Sequence, residues 1–115
     1  MRYIALILIS LSTLLAECNE SSWQDYFPDL DGCYLSGADL YGTDFSGASL
    51  NDADLSGANL GSCNFSGVSM LNANLMGAFT LNANFDGALM CGVDVESLSG
   101  YEGVPETVLD CFDIC

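Results

Sequence analysis

The sequence predicts an all-β fold: a four-sided β-helical solenoid of about three coils, with a short N-terminal cap and a short C-terminal helix or plug. Three observations predict it. Residues 33–97 divide into thirteen consecutive five-residue units without insertion or deletion. The centre of each unit falls on a residue number divisible by five, from Leu35, Leu40 and Phe45 through Met90 and Val95, and all are apolar except Thr80. Two residues before each centre stands a small or compact residue (Cys33, Ala38, Thr43, Ala48), and two residues after it a turn former (Gly37, Gly42, Gly47, Asp52). Finally, Phe45, Phe65 and Phe85 are the only aromatic centres and lie twenty residues apart, as do Leu50, Met70 and Met90.

A helix needs apolar residues near every 3.6 positions and a strand at every second one, so a period of five fits neither. Within one unit, however, the two apolar positions are two apart and share a face of a short extended segment. The next two residues turn, where Gly, Asn and Asp tolerate positive φ. A chain that turns the same way every five residues must coil. Four units per coil stack Phe45, Phe65 and Phe85 on one side, about 4.8 Å apart.

The units Ala38-Asp39-Leu40, Ala53-Asp54-Leu55, Ala58-Asn59-Leu60 and Ala73-Asn74-Leu75, with Ala83-Asn84-Phe85 as a Phe variant, resemble the pentapeptide-repeat family. The resemblance covers 65 of 115 residues. It implies a right-handed quadrilateral β-helix, with the small and central columns pointing inward and the Asp/Asn column and the two positions after the centre pointing out. Phe79-Thr80 and Leu89-Met90 depart from the pattern, because their outward column is apolar.

The N-terminus reads as a signal peptide over residues 1–18. Arg2 precedes an apolar run from Tyr3 to Leu15, and cleavage falls after Ala16 or Cys18. The run is shorter than the roughly 20 residues of a comfortable membrane span. Export to a periplasm, an extracellular space or an organelle lumen follows, with a membrane anchor as the lesser reading and membrane contact only through this segment. Residues 19–32 read as an N-terminal cap in which Trp23, Tyr26 and Phe27 cover the open first coil and Pro28 stops further pairing. Asp29-Leu30-Asp31-Gly32 reads as a turn entering the solenoid, since Phe27 and Ala38 stand where a calcium loop needs carboxylates.

Residues 98–115 read as the C-terminal cap. Pro105-Glu106 starts a short helix with Val108, Cys111, Phe112 and Cys115 on one face. That helix plugs the last coil; the family resemblance also implies a homodimer contact through this tail. An exported chain permits disulfides. The candidates are Cys91 with Cys111 or Cys115, and Cys18 with Cys33 if Cys18 survives processing. Cys33 and Cys63 lie in the small inward column on different sides of the coil, so they do not pair with each other.

Composition excludes several functions. Sixteen acids against one base, Arg2, give a net charge of −15, with no Lys and no His. Direct nucleic-acid binding needs cations and is excluded. Nucleophilic catalysis by Ser or Cys needs a neighbouring base, most often His, so an enzyme is not expected. No cofactor or metal is expected either: there is no zinc spacing, and Asp44, Asn64 and Asn84 stack as a hydrogen-bonded ladder rather than an ion site, as do Asp54, Asn74 and Asp94. The later coils carry Leu71, Met76, Phe79, Leu81 and Leu89 at outward positions, a candidate patch for an unknown protein partner. The expected function is a non-catalytic exported module for protein interaction or structural scaffolding. The alternative, suggested by the charge and by the family, is an acidic DNA mimic that inhibits DNA gyrase.

Overall fold

The computed structural model describes residues 17–94. The segment before Glu17, the unit centred on Val95, the tail 98–115 and the cysteines Cys111 and Cys115 lie outside the described residues. So do most of the expected signal peptide and all of the expected C-terminal cap.

The chain forms a β-coil of twenty residues per turn. Parallel bridges join Asp29 to Ser49, Tyr34 to Asp54, Asp39 to Asn59 and Asp44 to Asn64, and the same step repeats up to Ser69 with Leu89. Each bridge is a single residue pair and not a multi-residue strand, because a five-residue side leaves room for little else before the next corner. The hydrogen bonds repeat as faithfully. Leu35 donates its backbone N–H to the carbonyl of Asp54 at 2.7 Å, and Asp54 donates to the carbonyl of Cys33 at 2.9 Å. Every corner is a β-turn closed by the small residue, as where Ala58 donates to the carbonyl of Leu55 at 3.1 Å. The third residue of the turn has positive φ, and where it is not glycine it is Asp52, Ser62, Asn72 or Asn82, near 57–60°.

Four sides result. The first is centred on Leu30, Leu50, Met70 and Met90, the second on Leu35, Leu55 and Leu75, the third on Leu40, Leu60 and Thr80, and the fourth on Phe45, Phe65 and Phe85. All these centres are buried, together with nearly all of the small column. The three phenylalanines stack along the axis with ring centroids 5.2 and 5.1 Å apart and planes within 10°. That spacing is close to the rise between coils, so each ring covers the next.

The coil begins one unit earlier than position 33. Leu30 is fully buried and donates its N–H to the carbonyl of Ser49 at 2.8 Å, and Gly32 turns the first corner at φ 68°. Pro28 therefore does not stop pairing: its carbonyl accepts from Ser49 at 2.9 Å. What proline lacks is a donor, and its acceptor is the group the next coil uses.

Ahead of the coil lies a short helix, α1 (Trp23–Tyr26), followed by a cis Phe27–Pro28 bond. Trp23 meets the end of the phenylalanine stack, 5.2 Å from Phe45 and tilted 45° to it. A disulfide joins Cys18 to Cys33, with Cα atoms 4.8 Å apart, and Tyr34 donates to the carbonyl of Cys18 at 2.9 Å. The entering segment is thus tied to the coil covalently and by backbone pairing. Among the described residues no helix is long and apolar enough to cross a membrane.

Candidate interaction surface

The outward positions of a β-coil are set by its pleat, so each side displays three columns that repeat every twenty residues. The polar columns form ladders. On the fourth side Asn84 donates from Nδ2 to Asn64 Oδ1 at 3.4 Å, and Asn64 donates to Asp44 Oδ1 at 3.0 Å. The same oxygens accept from the backbone two residues on: Ser46 to Asp44 at 3.0 Å, Ser66 to Asn64 at 3.1 Å and Asp86 to Asn84 at 2.9 Å. Asn59 on Asp39 and Asn74 on Asp54 repeat the arrangement at 3.0 and 3.3 Å. In the hydrogen-bonded steps from Asp39, Asp44 and Asp54 the first member is Asp and the next is Asn. The Asp of each such step has only donors above and beside it, which suits a group that accepts only, whereas Asn59, Asn64, Asn74 and Asn84 also donate downward. Ser46, through its hydroxyl and then its N–H, with a smaller share from Asn64, holds the Asp44 carboxyl below its ordinary value.

The first side builds its ladder differently. Asp31 Oδ1 accepts from the Ser49 hydroxyl at 2.5 Å and the Asn51 N–H at 2.9 Å, and Asn51 Oδ1 accepts from the Ser69 hydroxyl at 2.7 Å and the Leu71 N–H at 2.9 Å. These carboxylates and amides are engaged in hydrogen bonds along the coil. Among the described residues no group of three or more His, Cys, Asp or Glu side chains is placed to hold a metal ion.

The apolar outward residues do not gather into one patch. Leu71 and Leu89 lie on the first side, Met76 on the second, and Phe79 and Leu81 on the third, opposite the first. Met76, Phe79, Leu81 and Leu89 are exposed and Leu71 is half-buried. The register explains the separation: residues ten apart fall on opposite sides of a twenty-residue coil. Sequence reasoning missed Tyr34 and Tyr41, which are exposed on the second and third sides of the first coil. It also missed that Tyr41 and Phe79 converge on Gly61, where the ring atom Cδ2 of Tyr41 lies 3.0 Å and Cε1 of Phe79 3.1 Å from the place a Cβ would take. Gly61 is the one glycine in the column directly after the unit centres, and that was the signal available in the sequence.

Cys91 is disulfide-bonded. Cys63 is a buried free thiol whose Sγ donates to the carbonyl of Leu40 at 3.0 Å, and burial raises its pKa.

A model of the family described as pentapeptide repeats matches residues 29–67 and 53–96 in eight copies, more than half of the chain. The chain belongs to the pentapeptide-repeat family. Its match begins at the unit where the coil begins. Among solved structures the chain is similar to a pentapeptide repeat protein from the Arabidopsis thaliana thylakoid lumen, at 38% identity over 58% of this chain and 50% of that one, with a TM-score of 0.34. HetL, a pentapeptide repeat protein involved in heterocyst differentiation regulation in the cyanobacterium Nostoc, is similar at 26% identity over 66% of this chain and 42% of that one, with a TM-score of 0.26. A pentapeptide repeat protein from the cyanobacterium Cyanothece is similar at 27% identity over 62% and 63%, with a TM-score of 0.29. The chain thus spans between two fifths and under two thirds of these proteins. No curated protein matches.

Proposed function

We propose that this pentapeptide-repeat chain is a non-catalytic, exported scaffold that binds or spaces other proteins. It is read as a right-handed quadrilateral β-helix of about three coils, closed at one end by the segment ahead of the Leu30 unit and at the other by residues 98–115. The observation that carries the reading is the gathering of exposed Tyr41, Phe79 and Leu81 on the third side of the coil, around Gly61. Apolar and aromatic side chains exposed next to one another on one face point to a partner.

Catalysis finds no support. The chain has no His or Lys, and Cys63 is buried with a raised pKa, the opposite of a reactive thiol. Export is supported by the N-terminal run after Arg2 and by the disulfides at Cys18–Cys33 and Cys91, which belong to an oxidising compartment. Cleavage after Ala16 keeps Cys18 in the mature chain and its bridge with it.

The test is photo-crosslinking in the cell of origin, with a benzophenone amino acid placed in turn at positions 76, 81, 89 and 46. The scaffold reading expects a discrete protein adduct from at least one of the first three and none from position 46, on the polar fourth side. The net charge of −15 also suits an acidic DNA mimic. Inhibition of gyrase supercoiling by the purified chain would replace the scaffold reading. Self-association through the tail 98–115 would show as a dimer in sedimentation.

A further inference from the structure

We propose that Tyr41 and Phe79, with Leu81 beside them, form a docking platform for a cationic, partly apolar segment of another protein. This rests on the scaffold reading and names the class of partner. The platform is built rather than incidental. Tyr41 comes from the first coil and Phe79 from the third, yet both rings lie over the Cα of Gly61 in the second, with Tyr41 Cδ2 and Cε2 and Phe79 Cε1 at 3.0–3.1 Å from the ideal Cβ position. Gly61 is not among the residues with positive φ, so the backbone does not call for glycine there; the rings do. The Ser62 hydroxyl donates to Tyr41 Oη at 3.3 Å and holds the phenol end against the wall. Gly61 is buried beneath the rings, while Tyr41 stays 65% and Phe79 42% exposed, leaving their outer faces to solvent. Leu81 stands one coil above Gly61 in the same column and is also exposed.

Charge decides the occupant. Asp39 is exposed on the same side and coil as Tyr41, and the whole chain carries −15. An aromatic face in a negative field attracts guanidinium and ammonium groups both by its quadrupole and by the net potential. This chain supplies no such group beyond Arg2: the residues after Asp94 contain Glu96, Glu102, Glu106, Asp110 and Asp113 and no Lys or Arg. A second copy carries the same charge and is repelled. The cation must come from a different protein, with an apolar side chain next to it to cover Leu81.

The test uses the full chain and a fluorescein-labelled nine-residue peptide alternating arginine and leucine, followed by anisotropy. A peptide with glutamate for arginine serves as the control. Expected are binding of the arginine peptide alone, a loss of about tenfold or more in affinity in Tyr41→Ala and in Phe79→Ala, and unchanged affinity in Ser66→Ala on the polar fourth side. Amide shifts on the wild-type chain should centre on Gly61 and Ser62, which keeps the test valid if a variant fails to fold. Equal binding by Tyr41→Ala and wild type, or shifts centred on Ser46 and Ser66, would overturn the platform. Crosslinked partners at position 76 or 89 alone would leave the scaffold reading standing without the platform; no adduct at any position would remove both.

Discussion

Asn64 donates its side-chain amide to Asp44 Oδ1 at 3.0 Å across the step between two coils, and the same oxygen accepts the Ser46 N–H at 3.0 Å. The pair is directional: the lower member only accepts, and the upper member must donate. Asn64→Asp puts two carboxylates face to face and removes the donor, whereas Asp44→Asn keeps an acceptor and adds a donor facing solvent. Asn64→Asp should therefore lower the thermal midpoint at pH 7 by a few degrees, roughly, and Asp44→Asn by clearly less. Circular dichroism melts of the two variants check the order.

The same hydrogen bonds carry a pH dependence. Asp44 is held below its ordinary value of 3.8 by the Ser46 hydroxyl first, then by the Ser46 N–H and Asn64. A carboxyl whose folded value is depressed contributes stability that is fully present above its unfolded value, and that contribution is lost as pH falls through the folded value. Carbon-detected NMR titration should find Asp44 ionised below pH 3.8, and Ser46→Ala should move it back up toward that value. The Asp44 contribution should not change between pH 6 and 8.

Phe65 lies between Phe45 and Phe85 at 5.2 and 5.1 Å and is fully buried. Phe65→Ala opens a hole in the middle of the axial stack that neighbouring coils cannot close, since their rise is fixed by backbone bonds. Urea unfolding should show a loss of about 3–5 kcal/mol, comparable to the whole stability of a small domain. Phe65→Leu keeps much of the volume and should cost distinctly less.

The Cys18–Cys33 bridge spans fifteen residues and ties the segment carrying Trp23 to the first coil. Closing a loop of that length contributes about 3 kcal/mol at most in the chain-entropy account. Cys18→Ser should lower stability by about 1–3 kcal/mol and shift Trp23 fluorescence toward that of water-exposed indole, because Trp23 loses its hold on Phe45. A spectrum unchanged from wild type would mean that packing on Phe45 alone keeps Trp23 in place.

The coil was legible because its determinants are columns: Phe45, Phe65 and Phe85 repeat at the register of the bridges, and the Asp-then-Asn order repeats with them. The unit centred on Leu30 was harder to read, since Pro28 occupies the slot elsewhere filled by a small residue and its backbone role is as acceptor only. The outer surface was legible residue by residue but not as neighbourhoods. Tyr41 and Phe79 are 38 positions apart in the chain. Only the third dimension brings both onto Gly61, and only a gap in the column between Tyr41 and Leu81 hinted at it. The five later apolar residues, conversely, look adjacent in sequence and are distributed over three sides.

The most direct test of the account is photo-crosslinking from position 81 against position 46 in the full chain, in separated fractions of the cell of origin, with intact mass read on the recovered protein. Expected is an exported, bridged chain with a discrete protein adduct from position 81 and none from position 46. A full-length reduced chain in the cytoplasm, with no adduct from either position, would contradict it.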